Sequence, residues 1–258
     1  MEENFPNGIF IMKAKLSAKI LSPVLFIILW YGLARIVNAA LILPYPHSVI
    51  IRLIALVQNK NFWLSFGMTV LRVFISFKIT MLLGFVFGLL SADYPAFKNL
   101  IAFPLAVIRA TPLIAFILLA LFWFKSSAVP VFVAVLMSLP VMLSAVEKGF
   151  EHTNENQQKL FKASCYGFNG FRAFYYIRLP AAKASIYSGA ESSFGLCWKV
   201  IAAGEVLSLP KYAAGTMMQQ AQVHLETCDV LALTLVLVIF SIICQKIINH
   251  YFCKKCIL

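Results

Sequence analysis

Ala163-Ser164-Cys165-Tyr166-Gly167 and, ten residues after that glycine, Ile177-Arg178-Leu179-Pro180 lie in a polar, Lys- and Arg-bearing stretch that interrupts an otherwise apolar chain. On one side of it runs an apolar segment at about 128–147, on the other a second at about 185–208, each long enough to cross a hydrocarbon layer as a helix. Working outward in both directions, further runs occur at about 20–43, 66–92, 99–124 and 228–248. These runs lack the residue-by-residue alternation of a barrel strand, so helices are the structure that keeps their backbone amides paired in lipid.

Composition supports the same class. Of 258 residues, 61% are hydrophobic and 12% charged, with a mean hydropathy of +0.86. A soluble domain is about 45–50% apolar and about 25% charged. The expected fold is therefore an all-α integral membrane protein of about six transmembrane helices. Residues 1–258 read as one transmembrane domain, with 148–184 as a polar loop between spans four and five.

Lys and Arg set the expected orientation. Thirteen of them fall on the N-terminal segment, the loop after span two, the long central loop and the C-terminal tail, whereas Arg35, Arg52, Lys60, Lys125 and Lys211 fall on the other side. The positive-inside rule then places both termini and the central loop in the cytoplasm. A formal net charge of +12 is accounted for by that topology and by anionic lipid, without nucleic acid. The first span follows Lys13, Lys15 and Lys19 and is expected to remain as a signal anchor, because its apolar run is long for a cleaved signal.

Chemistry on a substrate is not indicated. There is no phosphate-binding Gly-rich loop, no His-Glu-x-x-His pair and no Gly-x-Ser-x-Gly turn. His47, His152, His224 and His250 belong to separate segments, which argues against a metal cluster, and Cys253-Lys254-Lys255-Cys256 has no second Cys pair to complete a zinc site. The chain is expected to be non-catalytic and to bind no cofactor or metal itself.

Within the central loop, Glu151 to Gln158 is polar, with Thr153 or Asn154 available to cap a helix. Leu160, Phe161, Cys165 and Phe168 then recur at helical spacing until Gly167 and Gly170 interrupt the pattern. A second apolar stretch, Phe171 to Leu179, is expected to stop at Pro180, which lacks an N–H. On periodicity alone this is a short cytoplasmic helix, a Gly turn and a second helix. Periodicity favours an element that lies in the headgroups, with Lys162, Arg172 and Arg178 facing phosphate.

Gly167, nine intervening residues and Ile177-x-Leu179-Pro180 resemble the signature loop of binding-protein-dependent ABC importer permeases. The likeness continues in Leu43-Pro44-Tyr45-Pro46 with Ser48, Thr69-x-x-Arg72 with Gly84 and Gly88, Arg109-x-x-Pro112, Leu121-Phe122-Trp123-Phe124, and Trp198 followed by Glu205. It is strongest with the branch that handles sulfonates, taurine and nitrate. The resemblance implies a type I importer permease whose central loop is a coupling helix, with Phe161, Lys162, Ala163, Gly167, Phe168, Ile177, Leu179 and Pro180 at the contact with an ATPase subunit. It further implies two ATPase subunits holding ATP and Mg, a second permease copy, an extracytoplasmic binding protein, and a bacterial cytoplasmic (inner) membrane location.

The chain departs from the family pattern in three places. Phe161, Lys162 and Ala163 stand where the signature opens Glu-Ala-Ala, Lys125 replaces a Gly, and Ala213 replaces the first Gly of a Gly-x-Gly pair.

Charges inside the spans would each cost about 2.5–3.5 kcal/mol at a lipid-facing helix centre, so they should face protein, water or headgroups. Arg72, Lys78 and Arg109, with Trp198 and Glu205, are therefore the residues expected along a route for a small anionic or polar solute. The competing expectation makes those cations interfacial anchors or partners of Glu191 and Glu205. A rival from another class, a stand-alone secondary carrier, would use Lys78, Glu191 and Glu205 as relay groups.

Overall fold

A computed structural model describes the backbone of residues 7–163 and 174–256, and side chains within 21–151, 174–176 and 178–248. Every regular element among them is helical: α1 (Asn7–Val37), α2 (Pro46–Val57), α3 (Lys60–Asp93), α4 (Pro95–Ala110), α5 (Leu113–Trp123), α6 (Val129–Ala163), a π-helical turn (Phe174–Arg178), α7 (Leu179–Ser208), α8 (Ala214–Val223) and α9 (Thr227–Cys256). The all-α membrane fold expected from the apolar runs is the fold observed. Among the described residues, α3, α6 and α9 each carry a stretch long and apolar enough to cross a bilayer.

The third expected span, 99–124, is not a straight helix. Its residues form α4 and α5, which meet at a bend of 104°. The cause is Pro112: the residue before a proline is pushed out of the helical region, and Thr111 accordingly sits at φ −76°, ψ 129°. The two halves together still have the length and hydropathy of one broken span.

α6 also differs from expectation. The chain does not leave the helix near Glu147 and restart after a cap at Thr153 or Asn154; one helix runs from Val129 to Ala163. No proline follows Pro140 in that segment, and a polar run such as Glu151 to Gln158 needs no turn once the helix is already propagating. Pro180 likewise does not end a helix. It lies in the first turn of α7, where the missing N–H is one that α7's own hydrogen-bond ladder does not use, and the π-helical turn ahead of it leads directly into the span.

α6 and α7 share the most extensive interface, and α3 packs along α6. Close approach of α3 and α6 depends on Gly84 and Gly88. A Cβ at Gly84 would lie 2.6 Å from Met142 Cγ, and one at Gly88 would lie 2.6 Å from Val146 Cβ and 2.8 Å from the Leu143 carbonyl oxygen. This small-xxx-small pair therefore serves packing within the chain. Met142, Val146, Phe150, Ala182, Ile186 and Ala190 fill one core cluster at the end of the bundle where α3 finishes and α7 begins. Val133, Ile117, Phe194, Trp198 and Ile201 belong to a second cluster further along α7.

Among the described residues α1 packs on α2, with Tyr31 Oη 3.1 Å from His47 Nδ1, and Trp30 Nε1 donates to the carbonyl of Pro44 just ahead of α2 at 3.2 Å; most of its apolar side chains from Leu21 to Val37 are exposed. On a protein of this composition, such a face suits lipid.

Candidate functional site

The intramembrane charges divide into two settings. The first is a closed network. Glu205, fully buried on α7, accepts hydrogen bonds from Arg72 Nη1 at 2.7 Å, Thr69 Oγ1 at 2.8 Å and the Gly215 amide at 3.1 Å. Arg72 Nη1 also donates to the Tyr212 carbonyl at 2.9 Å, and the Ala214 amide donates to Thr69 Oγ1 at 2.9 Å. The carboxylate thus sits at the positive end of α8 and ties α3, α7 and α8 together. Gly215 is required there, because a Cβ would lie 2.5 Å from Glu205 Cβ. Ala213, by contrast, has φ −162°, an extended backbone open to any residue, which explains why the first glycine of the family's pair is dispensable here.

The second setting is an open cleft of about 890 Å³ between α4, α6 and α7. Arg109, Ser144, Lys148, Ser185, Ser188 and Ser192 bring polar groups to its wall. Arg109 is held by Nη2 donating to Ser144 Oγ at 2.5 Å and to the Pro140 carbonyl at 3.3 Å. The same carbonyl accepts from Ser144 Oγ at 2.8 Å, so the arginine, the serine and the carbonyl form one small cluster on α4 and α6. Ser185, Ser188 and Ser192 follow at i, i+3 and i+7, one face of α7. Two cations and a row of hydroxyls facing a cleft can replace part of the hydration shell of a small anion.

A smaller cleft of about 320 Å³ shares Arg109, Ser144 and Lys148 and extends to Lys98, Glu147 and Glu151. There Lys98 Nζ lies 2.8 Å from Glu147 and 2.7 Å from Glu151. At the far end of the bundle Arg52 on α2 pairs with Asp229 at the start of α9, Nη2 donating at 3.0 Å. The hydrogen bond and charge of Asp229 lift the Arg52 guanidinium above its ordinary value.

Of the residues expected along a solute route, Arg109 alone lines the large cleft. Arg72 and Glu205 are partners in the closed network, and Trp198 is buried with Nε1 donating to the Leu237 carbonyl at 3.0 Å, joining α7 to α9. Lys78 is exposed on α3. The relay imagined for a secondary carrier is not assembled, since Glu205 is committed to Arg72. Lys148 and the three serines of α7 were not among the expected residues; their i, i+3, i+7 spacing beside a span is the signal that points to them.

Of the expected coupling residues, Phe161, Lys162 and Ala163 complete the backbone of α6, and Ile177 lies in the π-helical turn, with their side chains outside the described residues. Gly167 and Phe168 fall outside the described residues altogether. Leu179 packs half-buried against the Met142–Phe150 cluster, and Pro180 is exposed.

Residues 84–251 match the binding-protein-dependent transport system inner membrane component family. The chain belongs to that family. It is an ABC importer permease, a non-catalytic, multi-pass inner-membrane transport subunit. The match takes in the α4–α6–α7 cleft, the central loop and the Glu205 network on α7 and α8. The permease is also similar to the taurine transport system permease protein TauC of Escherichia coli (strain K12), with 22% identity over 224 residues that span 84% of this chain and 80% of that protein.

Proposed function

We propose that this permease carries a small sulfonate or comparable anion, delivered by an extracytoplasmic binding protein, through a path that includes the α4–α6–α7 cleft. The observation that carries the reading is the joint presence of Arg109, Lys148 and three α7 serines around one cleft. The taurine permease similarity supports the same solute class. In a bundle whose other exposed surfaces are largely apolar, ionisable groups facing a cavity mark a route for a polar cargo.

The proposed machine contains two permease copies, the second closing the open side of the cleft, and two ATPase subunits that bind ATP and Mg and engage the central loop. The signature spacing from Gly167 to Pro180 supports that loop as the coupling element. The Lys and Arg asymmetry supports a cytoplasmic position for both termini. Closure of the ATPase pair on ATP would move the loop, and the continuous helices α6 and α7 on either side of it would carry that motion to the cleft.

The test is reconstitution of the permease with its cognate ATPase and binding protein in proteoliposomes. ATP-dependent uptake of a labelled sulfonate such as taurine is expected, abolished without the binding protein. Uptake driven by a proton gradient in the absence of ATP would overturn the reading.

A further inference from the structure

Arg178 occupies the variable position of the Ile-x-Leu-Pro segment, the last residue of the π-helical turn before α7. Its guanidinium reaches both carboxylate oxygens of Asp93, the last residue of α3, through Nη1 at 3.4 Å and through Nη2. The same group lies over two rings, 5.5 Å from the centroid of Phe150 on α6 and 5.9 Å from that of Phe174 in the π-helical turn. Those rings are stacked at 5.7 Å, and Phe150 is fully buried. One side chain therefore touches α3, α6 and the entry to α7 at the same point.

We infer that Arg178 is a positioning residue that clasps the exit of the central loop to the end of α3, so that a displacement of the loop moves α3, α6 and α7 together. Three features support this. The pair is two-pronged, which fixes orientation as well as distance, unlike a single-contact lysine. Both partners are partly withdrawn from solvent, at 20% and 32% side-chain exposure, so screening weakens the contact less than at an open surface. Finally, π-helical turns are rare and concentrate at functional positions; this one ends at the clasp. Without the clasp, the loop exit would still join α7 through the backbone, but the end of α3 would lose its ion pair to that exit, and the apolar contacts left between them permit sliding.

This inference rests on the proposed ATP coupling. The experiment compares R178Q, D93N and the double variant D93N/R178Q with the unaltered permease in the reconstituted complex, reading solute moved per ATP hydrolysed. Each single variant is expected to co-purify with the ATPase, to hydrolyse ATP at an undiminished rate, and to move about tenfold less solute per ATP, with the double variant no worse than either single one. An unchanged ratio in R178Q, or a loss in R178Q that D93N does not share, overturns the clasp while leaving the proposed function standing. If R178Q fails to assemble, R178K, which keeps a cation over the two rings but loses the two-pronged contact, is read instead. A reduced ratio in R178K supports the clasp and a normal one overturns it. Absence of ATP-driven uptake by the unaltered complex sinks the proposed function and the clasp together.

Discussion

Arg72 and Arg109 look alike in the sequence, each a lone arginine in an apolar run, yet the fold uses them in opposite ways. Arg72 is almost fully buried and spent on Glu205 and the Tyr212 carbonyl, whereas Arg109 is exposed to a cleft and held by a serine hydroxyl and a carbonyl, neither of which neutralises its charge. A charge within a membrane span is therefore weak evidence for a solute route until its partner is known. The buried arginine is a structural tie; the exposed one keeps its field available to a passing anion.

The largest effect is expected at the tie. Replacing Glu205 with Ala leaves Arg72 buried without its counter-ion and the Gly215 amide without its acceptor, and breaking a buried pair from one side costs about 3–5 kcal/mol. Glu205→Ala and Arg72→Ala should each lower the thermal unfolding midpoint in detergent and reduce the yield of folded permease. The two losses should be strongly non-additive, because each removes the same interaction. A stable Glu205→Ala permease with impaired uptake would instead move Glu205 to the solute route and dissolve the contrast with Arg109.

Next in size is the cleft. Arg109→Gln should leave the unfolding midpoint unchanged within error, because no buried carboxylate depends on it, and should reduce ATP-driven anion uptake about tenfold, the equivalent of roughly 1.4 kcal/mol. Lys148→Gln should act in the same direction. Loss of stability without loss of specific uptake in Arg109→Gln would show that both arginines are structural.

How much of this could be read from the chain differs by feature. The helical membrane class was legible in the apolar runs alone, since uninterrupted hydrophobicity over a span is a local property. The bend at Thr111–Pro112 was marked by its proline but hidden by the unbroken hydropathy from 99 to 124. The continuity of α6 past Glu147 was obscured because a polar segment reads as a loop, although a helix that is already propagating extends through such residues without a new nucleus. Pro180 was read as a stop and is a start, an ambiguity inherent in a residue that suits only the first turn. The pairing of Arg72 with Glu205 spans more than a hundred residues of chain; sequence reasoning offered Glu205 as one of two partners for three cations, and only the way α3, α7 and α8 meet selects Arg72. Ser185, Ser188 and Ser192 were visible as a stripe, but small hydroxyls in a span are common, and only the adjacent cations give the stripe meaning.

That stripe supplies the finest test of the comparison. Serine in a helix can satisfy its hydroxyl by donating to the carbonyl one turn back, as Ser144 does to Pro140 at 2.8 Å, so a row of serines could be mere small-residue packing. If so, S185A/S188A/S192A would be silent, since alanine preserves the close approach of α6 and α7 and propagates a helix better than serine. If the hydroxyls instead stand in for water around the solute, the triple variant should keep its unfolding midpoint and its ATPase rate while anion uptake falls a few-fold, about 0.5–1.5 kcal/mol for neutral hydrogen bonds, less than at Arg109, where the donor is charged. Combining the triple variant with Arg109→Gln decides whether the two kinds of group act on one solute: a combined loss smaller than the product of the separate losses places them on a shared contact, and a strict product places them at independent steps.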